Sequence, residues 1–243
     1  MTKTALITGG GSGIGQAVAK IYSQAGFEVW LFGRNPKKLK TTANLLEGPS
    51  QIYPCDLTDL DQVEKMAQNI CASNSHKGLN VLVHNAGVIK RTPFVKSTAN
   101  EWQESFRVHL LGPVLLTKVL LPLLEKNSPS AITTVSSTLA QRPARETSSY
   151  SALKAAVINW TKTMAIELAE KRIRANCVCP GIVDTPIHGT LTEEQKNYLD
   201  KLQPLGRVGS PEDVARAVYF LGSSESSWST GSILNVDGGI SLV

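Results

Sequence analysis

The chain alternates two hydrophobic rhythms from end to end. Short apolar runs, many of them β-branched, recur at 4–8, 27–32, 51–54, 80–84, 131–136, 173–179 and 233–236. Runs of that length bounded by turn formers read as strands. Between them, apolar residues return at helical spacing. Val18, Ile21 and Tyr22 share one face of a helix that stops near Gly26. Asn35-Pro36 opens a helix to about Leu46, and the stretch from Thr58 to Asp61 caps another that reaches about Ser73. Longer helices are expected over 98–124, bent at Gly112-Pro113, and over 148–171. A looser segment, 184–209, carries a short helix over 193–201, and Ser210-Pro-Glu-Asp213 has the N-terminal signature of a helix to Leu221.

Strand, helix and strand in that order make a parallel crossover. The alternation, without repeat or linker, predicts one doubly wound Rossmann-type α/β domain over residues 1–243, with about seven parallel strands and helices on both faces. Ligands of such sheets bind beyond the carboxyl ends of the strands. Thr8, Gly33, Asp56, Asn85, Ser137 and Pro180 all fall at or just past predicted strand ends, so they should converge on one edge. Helices 98–124 and 148–171 carry apolar residues on more than one face. A helix covering a sheet needs only one such face. The excess predicts a homo-oligomer, dimer or tetramer, joined through these two helices.

Composition changes this picture little. At 42% hydrophobic and 19% charged, the 243 residues can fill a core. A net charge of +5 without a dense basic cluster argues against a nucleic-acid partner and leaves a weak preference for anionic ligands. No uninterrupted apolar run reaches the ~18 residues of a membrane span. Cys177 and Cys179 are too close along a strand for a disulfide and lack metal-site partners. With an N-terminus that moves straight into a strand pattern, these features predict a cytoplasmic protein with reduced thiols and no metal.

Three motifs carry chemistry. The turn from Gly9 to Gly15 joins a strand to a helix, where glycines and free N–H groups cradle a phosphate. At the end of the second strand, an NAD site usually has an acid to hold the ribose hydroxyls. Here Gly33 and Arg34 stand there, with Lys37 and Lys38 close by, which favours the 2′-phosphate of NADP over NAD. Tyr150 and Lys154 lie one helical turn apart on the same face. A lysine ammonium there would pull the phenol down from its ordinary pKa of about 10 toward working pH, fitting it to exchange a proton with an alcohol or ketone. Ser137, upstream at a strand end, could bond the same oxygen. Taken alone, the Tyr–Lys spacing also arises by chance on exposed helices.

Together these motifs resemble the short-chain dehydrogenase/reductase family over nearly the whole chain. Gly9, Ser12, Gly13, Ile14 and Gly15 fall in a segment similar to its cofactor turn, and Asp56-Leu57 resembles its adenine-contacting pair. Asn85-Ala86-Gly87 resembles its strand-steadying signature, and Pro180-Gly181 with Ile182 and Thr185 resembles the segment closing over the nicotinamide. Residues 204–214 and 236–239 are similar to the subgroup of 3-oxoacyl-carrier-protein reductases and small sugar or polyol dehydrogenases.

The resemblance implies a small carbonyl or alcohol substrate, with Tyr150 as acid or base. It implies that Lys154 lowers the phenol pKa and binds the nicotinamide ribose, while Ser137 orients the substrate. Arg142, between Ser137 and Tyr150, either borders the pocket or stands in solvent, and His188 falls where relatives place substrate contacts. One position departs from the pattern. His109 stands where the family usually has an asparagine that holds a relay water. An imidazole can bond a water and exchange a proton near neutral pH, which implies a working enzyme with a modified relay. The alternative is a weakened member that only binds cofactor or regulates.

Overall fold

The computed structural model describes residues 2–189 and 192–243, and the side chain of His188 lies outside the described residues. Seven strands form: β1 (Thr4–Thr8), β2 (Glu28–Gly33), β3 (Ser50–Pro54), β4 (Val81–His84), β5 (Ser130–Val135), β6 (Ile173–Pro180) and β7 (Ile233–Val236). They join in one sheet in the order β3-β2-β1-β4-β5-β6-β7, every pair parallel. The helices are α1 (Gly13–Gln24), α2 (Pro36–Ala43), α3 (Leu60–Asn74), α4 (Ala99–Phe106), α5 (Gly112–Lys126), α6 (Ser148–Glu167), α7 (Glu193–Leu202) and α8 (Pro211–Gly222).

Side chains alternate across the strands and feed two cores. Leu6, Trp30, Leu82 and Ile132 pack with Ile70 of α3, Leu116 and Leu120 of α5, and Met164 of α6. Their neighbours Ile7, Val29, Leu31 and Val83 pack on the other face with Val18 and Tyr22 of α1 and Val214 and Val218 of α8. The expected α/β architecture with both faces covered is the observed one. The chain runs outward from β1 through β2 and β3, then returns to β4 on the other side of β1. The strand order therefore switches between β1 and β4, where such sheets open a crevice. Thr8 fixes that junction: its hydroxyl donates to the Val83 carbonyl (3.2 Å) and accepts from the N–H groups of Asn85 (3.0 Å) and Ala86 (3.1 Å).

The helical stretch over 99–126 is not a continuous α-helix: it divides into α4 and α5 just before Pro113. One π turn, Arg107–Leu111, lies between the two. Pro113 has no N–H to donate, and the Gly112 N–H reaches back five residues to the Arg107 carbonyl. A Cβ at residue 112 would sit 2.6 Å from the Leu57 carbonyl oxygen, so glycine lets α5 approach the end of β3. By length and mean hydropathy (1.6) this stretch could cross a bilayer, but half of that window is buried in the fold. α6 ends short of the expected 171, in a 3-10 turn (Ala169–Lys171) followed by left-handed Arg172, φ 57°.

The segment over 184–209 is an excursion closed at its base. Asp184 N–H donates to the Gly209 carbonyl (2.9 Å), and Gly209 N–H to that of Ile182 (3.0 Å).

Candidate active site

A cleft of about 1720 Å³ runs along the carboxyl edge of the sheet. At one end lies the glycine turn. Gly9 (φ +68°) and Gly13 (φ +53°) hold conformations that side chains disfavour. A Cβ on Gly9 would sit 2.9 Å from Ala86 Cα. Ser12 occupies the N-cap of α1 without bonding its backbone, so the hydroxyl and the first N–H groups of α1 are free for a ligand. Gly9, Ser12, Gly13 and Ile14 line the cleft. Gly15 does not: it is buried under the turn, where a Cβ would sit 2.3 Å from the Gly9 carbonyl oxygen. Its close packing shapes the turn.

Gly33, Arg34, Lys37 and Lys38 border the same end, beside Asp56 and Leu57. Asn35 caps α2 by accepting from the Lys38 N–H at 3.1 Å. The Arg34 guanidinium stands 3.9 Å from Asp56, both partly in water, so the pair holds it weakly. The Asp56 carboxylate accepts from the Thr58 N–H and hydroxyl, each at 2.9 Å. Asn85 Nδ2 donates to the Thr8 carbonyl (3.0 Å), so with Ala86 and Gly87 it steadies the switch point and lines the cleft. Pro180, Gly181, Ile182 and Thr185 also line it. Glycines that only backbone can occupy, free N–H donors and a basic rim fit a phosphorylated dinucleotide.

Further along, β5 and α6 bring Ser137, Tyr150 and Lys154 to the same cleft. Two neighbours place them. The Ser136 hydroxyl donates to the Lys154 carbonyl (2.7 Å), tying α6 to the end of β5, and Thr138 donates to the Pro180 carbonyl (3.2 Å). Ser137 Oγ accepts from the Leu139 N–H at 3.1 Å. Lys154 is buried, and its Nζ donates to the Val135 carbonyl at 2.8 Å. Burial pushes its ammonium down to about 8, although the Cys177 and Cys179 thiols oppose the shift. The expected lowering of the Tyr150 phenol is not met. Burial pushes it up to about 12, and Ser137 offsets only part of that. Lys154 Nζ lies 5.6 Å from the ring centroid and is engaged by a carbonyl, so desolvation wins.

His109 does not line the cleft. It sits on the π turn behind Tyr150, ring centroids 5.3 Å apart and nearly perpendicular. Its Nε2 bonds the Val88 carbonyl at 2.8 Å. A carbonyl only accepts, so Nε2 carries the proton, and Nδ1 is left unprotonated, buried and without a partner among the described residues. Burial, then the Lys154 charge, holds the imidazole at about 3 despite the Val88 bond. The expectation that it exchanges a proton near neutral pH is therefore wrong: it is a neutral acceptor. Gly87 makes the room, since a Cβ there would sit 2.9 Å from His109 Cε1 and 3.6 Å from Lys154 Nζ.

Arg142 lines the cleft, with one guanidinium nitrogen donating to the Ile240 carbonyl at 2.6 Å. Ile187, Tyr198, Leu199, Leu202, Ile240 and Val243 also line it and were not anticipated. A signal existed: Tyr198, Leu199 and Leu202 fall on one face of an otherwise charged helix.

A parallel sheet with a glycine turn at its switch point defines a nucleotide-binding α/β protein. Residues 9–241 match the protein family described as enoyl-(acyl carrier protein) reductase. The chain is 34% identical to a 3-oxoacyl-[acyl-carrier-protein] reductase of Thermotoga maritima, over 98% of this chain and 97% of the relative. A tropinone reductase homolog of Arabidopsis thaliana is 34% identical over 99% and 92% of the two chains. A Beutenbergia cavernae structure described as an NAD(P)-dependent gluconate 5-dehydrogenase, with bound NADP at low occupancy, superposes with a TM-score of 0.91 at 32% identity, over 99% and 97% of the two chains. The chain belongs to the short-chain dehydrogenase/reductase family and is an oxidoreductase of that family.

Proposed function

We propose that this protein interconverts a carbonyl and a secondary alcohol with NADP(H). The convergence of Ser137, Tyr150 and Lys154 in a cleft whose other end is a glycine turn with Arg34 carries this reading. Gly9, Ser12, Gly13 and Ile14 would hold the phosphates, Arg34 the 2′-phosphate, and Asp56, Leu57, Asn85, Ala86 and Gly87 the nucleoside side. Tyr150, Lys154 and the segment from Pro180 to Thr185 would hold the nicotinamide end. When bound, the nicotinamide supplies the hydride. The Ser137 hydroxyl donates a hydrogen bond to the substrate oxygen and fixes it beside the phenol. Tyr150 gives that oxygen its proton, and Lys154, charged below about pH 8, stabilises the phenolate left behind.

NADPH oxidation against a panel of ketones tests the reading. Tyr150→Phe should lose at least ~100-fold in kcat; equal turnover by both proteins would overturn it. NADPH should bind more tightly than NADH, and Arg34→Ser should erase the difference. A dinucleotide-binding protein with little turnover is the second reading, favoured by the Lys154–Val135 bond and the raised phenol. It predicts tight NADPH binding with no ketone reduced. The apolar faces of the helices over 98–124 and 148–171, with Phe106 and Ile166 exposed, support a homodimer or homotetramer, which sedimentation would measure.

A further inference from the structure

After Gly87 the chain runs along the cleft toward α4, and its two sides face different spaces. Val88, Ile89 and Arg91 line the catalytic cleft. Lys90 and Thr92 line a second cavity of about 260 Å³ instead, together with Glu101 of α4 and with Glu146, and none of these four lines the cleft. Val88, Ile89 and Tyr150 line both. Residues 88–92 therefore stand as a wall between the two spaces.

The fastenings of that wall lie on the side away from the cleft. Glu101 is the N3 residue of α4, and its Oε2 accepts from the Thr98 N–H at 3.1 Å to close the capping box. Its Oε1 accepts from the Thr92 hydroxyl at 3.3 Å and from the Lys90 ammonium. Bonds from Lys90 and Thr98 hold the carboxyl below 4.5, so it is ionised at neutral pH. The Lys90 side chain is 69% exposed and that of Glu101 only 13%. An ammonium so far in water contributes little alone, so the fastening rests on the carboxylate and Thr92. Thr92 carries it onward, because its N–H donates to the Glu146 carbonyl at 3.0 Å. Glu146 stands at φ 64°, a left-handed conformation that costs a non-glycine residue and persists where its surroundings enforce it. It follows closely on Arg142, Pro143 and Ala144, which line the cleft.

We propose that Glu101 is a positioning residue for the substrate. From behind the wall it holds two segments of the cleft lining, 88–91 and 142–144, in one arrangement. It lines no part of the cleft and acts through Thr92. The proposal rests on the carbonyl–alcohol reading for the reaction it affects. Other groups are fastened elsewhere: His109 pins the Val88 carbonyl, and Ser136 ties the Lys154 carbonyl to the end of β5. Loss of Glu101 would therefore slacken the lining from Ile89 onward and leave the proton donor and the glycine turn in place.

The experiment compares Glu101→Ala and Thr92→Val with Thr98→Ala, which removes the N-cap of α4 but neither bond to the wall. With the best ketone of the panel, Glu101→Ala should raise KM about tenfold and change kcat little. Thr92→Val should act in the same direction by less, and the double variant should do no more than Glu101→Ala, since both cut one chain of bonds. Thr98→Ala should lower the unfolding midpoint and leave KM unchanged. NADPH affinity, from a fluorescence titration, should be equal in all of them. Amide hydrogen exchange reads the same coupling without turnover: residues 89–97 and 142–147 should exchange about tenfold faster in Glu101→Ala and not in Thr98→Ala. Should Glu101→Ala not fold, Glu101→Gln keeps an acceptor for Thr98, loses the charge and carries the comparison. Unchanged KM and exchange in Glu101→Ala overturn the proposal. So does an equal rise in KM on Thr98→Ala, which would make the cap of α4 the whole cause. A protein that turns over no ketone ends the carbonyl–alcohol reading, and exchange then decides alone: faster at 142–147 in Glu101→Ala sustains the coupling, and unchanged overturns it.

Discussion

Replacing Lys154 with methionine should abolish reduction and yet stabilise the fold. The ammonium is buried, and burial lowers it from 10.5 to about 8. That drop corresponds to about 3 kcal/mol by which the native state disfavours the charge. Below pH 8 both native and unfolded chains carry the proton, and the penalty is present in full. Between pH 8 and 10.5 the unfolded chain still holds it while the native chain has released it, so native stability rises with pH. Above that range the penalty is gone. The substitution also removes the bond from Nζ to the Val135 carbonyl, worth about 1–2 kcal/mol. Lys154→Met should therefore gain about 1–2 kcal/mol at pH 7 and lose that advantage by pH 10. Urea unfolding of both proteins at a series of pH values measures it. Parallel stability curves across that range would refute the reasoning, because they would mean the ammonium pays no desolvation in the native state.

Three further outcomes follow from the same structure. His109→Phe removes the donor to the partly buried Val88 carbonyl, costing about 1 kcal/mol in stability, and should lower kcat if Nδ1 holds a water for Lys154; a large gain in kcat on His109→Asn would show instead that the imidazole is a handicap. Gly15→Ala places a Cβ 2.3 Å from the Gly9 carbonyl oxygen, so NADPH affinity in a fluorescence titration should fall at least ~10-fold through displacement of the turn. Lys77→Met removes the only cation bonded to Glu28 among the described residues and leaves it the donors Gln51 and Trp30; burial would raise this carboxyl, and the three bonds together hold it below 4.5. The loss should be about 1–3 kcal/mol at pH 7 and shrink as pH falls below 4.5, read from urea midpoints.

The sheet and its edge were legible because they follow from local chemistry. Seven apolar runs with crossovers between them leave little choice of layers, and Thr8, Asn85, Ser137 and Pro180 meet at one edge as strand ends must. Protonation was not legible, because it depends on depth. The Tyr150–Lys154 spacing predicts attraction, but spacing does not reveal that both groups are withdrawn from water, and desolvation shifts each toward its neutral form. The π turn was equally hidden. Pro113 announces a disturbance, but its form depends on the Leu57 carbonyl, which approaches Gly112 from a distant part of the chain. His109 joins both lessons. On a regular helix its ring would point elsewhere; on the widened turn it reaches Val88, loses its charge to burial and presents a bare Nδ1 near Lys154. A neutral acceptor there can take a hydrogen bond from a water or from the ammonium but cannot compete for positive charge at neutral pH.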